Sequence, residues 1–190
     1  MKSIIEKSLS QSYSYTAYRN HIKTLLKEGK SFGKEQSEAL THYSELNEAR
    51  MNRLEKTIVV LPEIINKLQS LDKNYIWLVL SEGWCGDAAQ ILPIIKLMSE
   101  ASENIDLKLV FRDENEELIN LFLTNGAKSI PKLLVLDESF NLINHWGPRP
   151  EGAKNLIIEY KAIHGIVDEA AKIALQKWYL DDKGISTMKE

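Results

Sequence analysis

The stretch "YIWLVLSEGWCGDAAQILPIIKLMSEAS", residues 75–102, predicts a strand that leads through a tight connection into a helix. Residues 75–81 form a nearly continuous apolar run rich in aromatic and branched side chains, which is typical of a buried central strand. From residue 87 onward apolar side chains recur at helical spacing, with Pro93 as an interruption. Cys85, the only cysteine in 190 residues, lies between the two elements. We therefore expect its thiol at the start of a helix.

The placement of Cys85 has a chemical consequence. Unpaired N–H groups and the positive end of the helix dipole would face the sulfur and favour the reactive thiolate. Gly86, the next residue, permits close approach of a substrate backbone. A lone cysteine is alternatively a buried small hydrophobic residue, but the place at a helix start favours an exposed and reactive thiol. A single cysteine cannot form an internal disulfide, so any disulfide would be intermolecular.

The segments after residue 102 continue an alternation of strands and helices. They predict a strand at 105–113, a helix at 114–129 that stops at Gly126, a hairpin at 131–147 and a closing helix at 149–165. The order strand, helix, strand, helix, strand, strand, helix predicts an α/β domain. Its sheet is mixed and carries helices on both faces.

The chain before and after this domain is helical in character. Residues 1–56 carry apolar stripes at helical spacing and no strand signal, and Pro62 sits in a first turn or kinks the next helix. We divide the chain into a helical N-terminal extension (1–56), the α/β domain (57–164), and a C-terminal helix and tail (165–190). The extension could cover the sheet, mediate self-association or contact a partner.

Composition narrows the classes of function. A formal net charge of -3 gives no electrostatic case for nucleic acid or an anionic membrane as partner. No stretch approaches the roughly 20 apolar residues of a membrane span, and the first residues lack the apolar run of a signal peptide. The expected compartment is the cytoplasm, where thiols are kept reduced. The histidines show no spacing that resembles a metal site, so no metal is expected: His21, His42, His145 and His164.

The motif around the cysteine resembles the thioredoxin family. "WCGDA" is similar to the family's Trp-Cys-Gly-X-Cys active site, with Trp84 and Cys85 in the matching places. Pro93, eight residues after the cysteine, matches the proline that bends the family's active-site helix. The resemblance covers about residues 57–164 and implies a thioredoxin-like fold. Within the family it indicates a subgroup with a WCGD signature and a helical N-terminal extension, in which the last motif position is not always cysteine.

A second part of the resemblance lies far from the cysteine in sequence. "SIPKLLVL" is similar to the family's cis-proline segment, which makes Pro131 the cis residue and Ile130 the residue before it. In the family this backbone pairs with an extended substrate across the thiol. Gly147 matches the glycine that completes the flat apolar surface around the thiol. The resemblance thus implies substrate-binding roles for Trp84, Gly86, Ile130, Pro131 and Gly147.

This sequence departs from the family's dithiol pattern at two positions. Ala88 stands where the resolving cysteine would be, and Val79 replaces the buried aspartate that often serves as a proton acceptor. Cys85 could still attack a disulfide, but it could not release the mixed disulfide by itself. An external thiol, such as glutathione or another low-molecular-weight thiol, would have to complete the reaction.

Charged residues near the motif could set the acidity of the thiol. Asp87 suits the first turn of a helix, but a carboxylate so close to Cys85 opposes thiolate formation. Arg112 and Arg149 could offset that charge or bind the carboxylate of a small thiol or substrate. Alternatively both arginines are solvated, or Arg112 forms a local pair with Asp113 or Glu114. Asp87, Arg112 and Arg149 are therefore candidate substrate-binding residues.

The segment "NHWGPRP" offers two further interpretations. Trp146 packs at a strand end, which is the common role for such a residue. Alternatively Trp84, Trp146, Pro148 and Pro131 form an apolar rim around the thiol, which would mark a binding surface for an extended chain.

Two functions from different classes follow, with a weaker third. The first is a monothiol thioredoxin-like oxidoreductase in which Cys85 attacks a protein or small-molecule disulfide and an external thiol resolves it. The second is a non-catalytic thioredoxin-fold module that binds a peptide or protein partner. The third is a transferase-like use of the fold, with a small thiol bound beside Arg112 or Arg149.

Overall fold

The computed structural model describes residues 1–33 and 35–190. Its elements follow the chain in this order: α1 Lys2–Ser10, α2 Tyr15–Lys27, α3 Glu38–Thr57, α4 Pro62–Gln69, β1 Tyr75–Ser81, α5 Gly86–Ser99, β2 Ile105–Phe111, a 3-10 turn Arg112–Glu114, α6 Glu116–Ile119, β3 Lys132–Asp137, β4 Leu142–Trp146, α7 Glu151–His164, α8 Glu169–Asp182 and α9 Ile185–Lys189.

The central sheet has the strand order β2-β1-β3-β4. β1 pairs in parallel with β2, so that Leu80 lies opposite Val110, and antiparallel with β3 on its other side. β3 and β4 form an antiparallel hairpin with a bulge between Val135 and Leu136. The sheet is thus mixed and flanked by helices, as the order of elements predicts.

Helix α5 begins at the cysteine and runs through the centre of the molecule. Every residue from Asp87 to Ile95 is buried, which is the pattern of a helix enclosed on all sides. α3, α4 and α9 pack against it. Pro93 lies inside this helix.

The N-terminal helices cover the edge and one face of the sheet. Tyr13 forms an antiparallel bridge with Leu109 on the outer edge of β2. Tyr18 is fully buried, stacks on Phe111 with ring centroids 4.8 Å apart, and donates a hydrogen bond to Ser81 Oγ at 3.1 Å. Phe32 stacks on the same Phe111 ring at 3.5 Å. Of the three roles expected for the extension, covering the sheet is observed, while self-association and contact with a partner stay predictions.

A buried charged cluster joins α2 to α3. The Arg19 guanidinium donates to both carboxylate oxygens of Glu48, at 2.7 and 2.9 Å, and to Asn52 Oδ1 at 2.9 Å. It also pairs with Glu55, which accepts a hydrogen bond from Tyr15. Since a buried charge is costly unless it is paired and hydrogen-bonded, this cluster fixes the two helices against each other.

The helix predicted at 114–129 is the main correction to the sequence-based elements. Only the 3-10 turn and the single-turn α6 form there, and the chain then turns at Asn125 (φ 51°) and Gly126 (φ 78°). Thr124 and Ala127 exchange backbone hydrogen bonds of 2.9 and 3.0 Å across this turn. Asn-Gly favours positive φ at both positions of a tight turn, and here that preference outweighs the helical periodicity before it.

Two smaller outcomes concern helix ends. Pro62 occupies the first turn of α4, and Ile58 and Leu61 before it are extended, so the first of the two interpretations of this proline holds. α9 was not predicted. The boundaries at residues 56 and 164 remain predictions, although the extension contributes Ile5, Tyr18 and Ile22 to the same core as the sheet.

Candidate functional site

Cys85 lies at the junction of β1 and α5 and is the N-cap residue of α5. Its Sγ–H donates to the carbonyl oxygen of Ile130 at 3.4 Å, and the backbone N–H of Ala88 donates to Sγ at 3.5 Å. The sequence-predicted pair of Cys85 and Ile130 is therefore brought into contact. Ala88, which stands where the family has its resolving cysteine, thus supplies a backbone N–H donor to the thiol.

The expectation of an exposed thiol is wrong for this structure. Cys85 is only 8% exposed. Burial raises the pKa of the Cys85 thiol to about 12, and the negative charge of Asp87 adds to the shift. The N–H groups of Ala88 and Asp87 and the charge of Arg149 act in the opposite direction but are weaker. The N–H groups at the helix start do stabilise the thiolate, as predicted. The loss of hydration on burial destabilises the thiolate by more, so the pKa rises.

The cis-proline segment and its glycine neighbour lie together. The Ile130–Pro131 peptide bond is cis, and Ile130 is 6% exposed. Gly147 has φ 110°, and a Cβ there would lie 2.3 Å from the carbonyl oxygen of Pro131. Only glycine therefore allows the two backbones to approach this closely. The carbonyl of Gly147 also accepts a hydrogen bond of 3.0 Å from the buried Lys132 Nζ.

Asp87 is held from two sides. Arg149 donates from Nε at 2.9 Å and approaches through Nη2 at 2.7 Å, both at Oδ2, while Tyr179 of α8 donates to Oδ1 at 2.8 Å. Burial works against the charge of Arg149, but the hydrogen bond and charge of Asp87, with smaller contributions from Tyr179 and Cys85, together outweigh burial and raise the pKa of Arg149. Burial and Asp87 also raise the pKa of Tyr179, which stays protonated. Asp87, at 9% exposed, thus anchors α8 to the motif.

Arg112 does not join Asp87. It pairs with Asp113 at 2.7 Å, and its guanidinium lies 4.9 Å from the centre of the Trp84 ring. The local pair, which was one of the alternatives for this arginine, is what forms. Arg112 and Trp84 thus form a cation–π contact at the border of the motif.

Side chains from α3 and α8 lie directly over the motif, and sequence reasoning missed them. Gln176 Oε1 accepts a hydrogen bond from Gln90 Nε2 at 2.7 Å. From α3, Asn47 donates to the Gly83 carbonyl at 2.9 Å and accepts from Arg50 Nη1 at 2.8 Å. The periodicity of residues 167–180 indicates an amphipathic helix, but it holds no signal for where that helix docks.

A cavity of about 560 Å³ opens between α3 and α8, beside the motif. Four sequence-predicted site residues line it: Trp84, Gly86, Asp87 and Arg149. The expected rim is only partly formed, because Trp146 lines a different cavity with Trp77 and Met188. The Trp146 indole N–H donates to the carboxylate of Glu190 at 3.3 Å.

Glu82, three residues before the cysteine, is a second buried titratable group that sequence reasoning missed. It is 1% exposed, and its Oε1 accepts a hydrogen bond of 2.9 Å from the Asp113 N–H. Its Oε2 is buried and has no hydrogen-bond partner among residues 1–33 and 35–190. Burial raises the pKa of this carboxyl to about 8.

Two searches of the described part of the chain bear on other classes of site. Within it, no group of three or more histidine, cysteine or acidic side chains is placed to hold a metal ion. None of its helices combines the length and the apolar character needed to cross a membrane.

The mixed sheet, the helix that starts at the cysteine, and the proline segment facing its sulfur define the class of thioredoxin-fold proteins. The chain belongs to the thioredoxin family, whose sequence model matches residues 33–161. The match includes the motif, the proline segment and most of α7. It also begins inside the predicted extension, so that α3 lies within the matched region.

Comparison of whole structures supports the fold. A crystal structure of an HIV epitope-scaffold is 22% identical, with a TM-score of 0.52 over 75% of this chain and 82% of its own. A crystal structure of a protein of unknown function from Pseudomonas aeruginosa is 21% identical, with a TM-score of 0.51 over 86% of this chain and 96% of its own. No curated protein matches the sequence.

Proposed function

We propose that the protein is a thioredoxin-fold binding protein whose Cys85 is held protonated and shielded, and does not turn over disulfides in the folded state described here. One observation carries this proposal: the thiol is only 8% exposed, and this burial raises the pKa of Cys85 to about 12. Because the thiolate is the attacking species, a protonated and buried thiol reacts slowly at neutral pH. Ala88 provides no second thiol for release.

The proline segment supports the same proposal. In the family's substrate complexes the backbone before the proline pairs with an extended chain. Here the Ile130 carbonyl accepts the hydrogen bond of the protein's own thiol, and Ile130 is buried. α8 lies over the motif through the contacts of Tyr179 and Gln176. The accessible space beside the motif is the cavity between α3 and α8, which we propose as the binding site.

A monothiol oxidoreductase is the second candidate function. The backbone N–H groups of Ala88 and Asp87 lower the pKa of Cys85, and the burial that opposes them would diminish if α8 moved away and water entered. The thiolate would attack a protein or small-molecule disulfide, forming one S–S bond while the old one breaks and releases a thiolate. A second, external thiol such as glutathione, abundant in a reducing compartment like the cytoplasm, would attack the mixed disulfide and restore Cys85.

The two functions differ in reaction with glutathione disulfide. The protein is incubated with it at neutral pH, and the mixed disulfide is followed by mass spectrometry, with the chain in concentrated urea as reference. The binding proposal expects the adduct in urea but not in the folded protein on the same timescale. Formation of the adduct at comparable rates in both, and its removal by glutathione, would establish the monothiol function instead.

Two variants frame this experiment. Cys85→Ser removes the only thiol and gives the background. Ala88→Cys places a second thiol where the family has its resolving cysteine, and it reports whether the fold supports dithiol chemistry once that thiol is supplied. If Ala88→Cys reduces disulfides and the parent does not, the missing thiol at position 88 explains the parent's inactivity. The packing of α8 over the motif would then not be the cause.

A further inference from the structure

We infer that the cavity between α3 and α8 binds a small amphipathic carboxylate, with its apolar body against the cavity wall and its carboxylate held by Arg50 and Gln176. The inference rests on the proposed binding function and gives it a ligand class. The cavity's volume of about 560 Å³ lies in the range of about 300–1,000 Å³ that is usual for small-molecule pockets.

The wall of the cavity is mainly apolar and comes from both helices and from the motif. Its hydrophobic side chains are Leu40, Tyr43, Trp84, Ile173, Leu175 and Leu180. Such a wall binds hydrocarbon or aromatic groups by removing their surface from water. A purely ionic ligand, such as a free phosphate, would leave this surface unused.

The charges that line the cavity are compensated except at Arg50 and at the exposed Lys177, for which residues 1–33 and 35–190 provide no ion pair. Arg149 is committed to Asp87, and Lys172 pairs with Glu169 at 3.2 Å. Arg50 has no carboxylate within ion-pair distance anywhere in residues 1–33 and 35–190, and its recorded hydrogen-bond acceptor is the neutral amide of Asn47. Burial and the neighbouring Arg53 lower the pKa of Arg50. A half-buried guanidinium in this setting is stabilised by an added anion.

The structure also orients Arg50. Asn47 is fixed by its own hydrogen bond to the Gly83 carbonyl, and it holds Arg50 Nη1 toward Gly86. A Cβ at Gly86 would lie 3.8 Å from Arg50 Nη1 and 3.5 Å from Gln176 Nε2. Both donors therefore converge on the space over Gly86.

Gln176 completes a pair of donors. Its Oε1 is occupied by Gln90, which fixes the orientation of the amide, while its Nε2 has no recorded acceptor in the described part of the chain. One guanidinium and one amide donor match the two oxygens of a carboxylate. A phosphate monoester carries more charge than this pair neutralises.

The test uses decanoate as the probe, with decanamide and decylamine as neutral and cationic partners of the same chain length. Binding to the full-length protein is measured by calorimetry, and backbone amide shifts by NMR locate it. The inference expects decanoate to bind more tightly than either partner and to shift the amides of Gly86 and Gln176. Equal binding of decanamide, or shifts confined to other regions, would overturn it, as would failure of decanoate to bind.

Variants of two neighbouring arginines separate the guanidinium's role from general charge. Arg50→Gln should weaken decanoate binding by roughly tenfold or more, the usual effect of losing a hydrogen bond to a charged group. Arg53→Gln removes the same charge from the same helix but outside this cavity, and should change binding much less. Arg50→Lys keeps the positive charge but loses the planar set of guanidinium donors. Its affinity for decanoate should lie between those of the parent and Arg50→Gln. Equal loss in Arg50→Gln and Arg53→Gln would contradict the assignment.

Failure of this inference and failure of the proposed function are distinguishable. If Cys85 in the folded protein reacts readily with glutathione disulfide while the binding of decanoate still depends on Arg50, the shielded-thiol proposal fails and the ligand site stands. If Cys85 is inert and decanoate does not bind, the ligand class is wrong and the shielded thiol stands.

Discussion

At the scale of single residues, Asp87 does more than oppose the thiolate. Its charge raises the pKa of Cys85, while its two oxygens bind Arg149 and Tyr179. Arg149 was predicted as a group that offsets this carboxylate, and the structure places the two in contact. Tyr179 was not predicted, because a tyrosine 92 residues away along the chain leaves no local pattern that connects it to the motif.

Asp87→Asn should lower the pKa of the Cys85 thiol. The substitution removes the second-largest cause of the shift, but burial, the largest, remains, so the pKa should stay above the ordinary value. The pH dependence of the alkylation rate measures it. Asp113→Asn, which removes a carboxylate paired with Arg112 instead, serves as control. An unchanged pKa in Asp87→Asn would mean that its charge does not reach the sulfur.

Glu82→Gln should flatten the pH dependence of the free energy of unfolding between about pH 4.5 and 8. In this window folded Glu82 keeps a proton that the unfolded chain has already lost, because burial raises its folded pKa. Its contribution to stability is complete below about pH 4.5 and is lost as the pH rises through about 8. Urea denaturation at several pH values measures the slope. Parallel curves for the variant and the parent would contradict the raised pKa, and Glu103→Gln, at an exposed glutamate that does not contribute to the Glu82 shift, is the control.

At the scale of elements, the docking of α8 decides what the site can do. The Tyr179 hydroxyl donates a hydrogen bond to Asp87, and Gln176 accepts one from Gln90, so that α8 is joined to the first turns of α5. α8 also packs against α7, where Trp178 lies so close that a Cβ on Gly152 would be 2.7 Å from its ring. α8 thus forms a cover over the motif that specific side chains hold and that single substitutions can weaken.

Tyr179→Phe should loosen this cover and speed the alkylation of Cys85. Loss of a buried hydrogen bond to a charged group should lower the free energy of unfolding by about 1.5–3 kcal/mol. Urea denaturation and the alkylation rate at fixed pH measure the two effects. Tyr160→Phe removes a hydroxyl bonded to Asp168 at the same 2.8 Å but away from the motif, and should leave the alkylation rate unchanged. Equal rates in both variants would show that α8 does not shield the thiol.

At the scale of the whole molecule, the N-terminal helices belong to the core of the sheet domain. Ile5, Tyr18 and Ile22 are buried in the same cluster as the strands, and Tyr13 closes the outer edge of β2. An uncovered strand edge is a template for pairing with another chain. The residues before the family match thus serve the stability of the matched region.

Deletion of residues 1–28 should leave a chain that unfolds without a cooperative transition or self-associates. The family match at 33–161 stays intact, so the result separates the contribution of the helices from that of the domain itself. Circular dichroism during heating and size-exclusion chromatography measure the outcome. A monomer that unfolds cooperatively near the parent's midpoint would contradict it.

A pair of point variants provides the matched control for this deletion. Ile22 is 2% exposed and packs on Gly83. Ile22→Ala should lower the free energy of unfolding by about 2–5 kcal/mol. Ile163 is 77% exposed on α7, and the same change there should be nearly neutral.

The sequence predicts the parts of this molecule that local patterns encode. Strands β1 to β4, helix α5 and the contact of Cys85 with the Ile130 segment were all predictable from periodicity and from the family motif. The cover over the thiol was not, because it depends on where α3 and α8 dock, and docking is decided by packing between distant segments. The same limit explains why Arg50, Gln176 and Glu82 were missed.

The most direct test of the account is the pH dependence of the alkylation of Cys85 by iodoacetamide in the folded parent protein. Cys85 is the only thiol in the chain, so the rate of thioether formation at this residue reports on it alone. The account predicts a rate that is low at neutral pH and still rising well above pH 9, as a pKa of about 12 requires. A rate that levels off below the free thiol's pKa of about 8.5 would show an activated thiolate and contradict the shielded thiol.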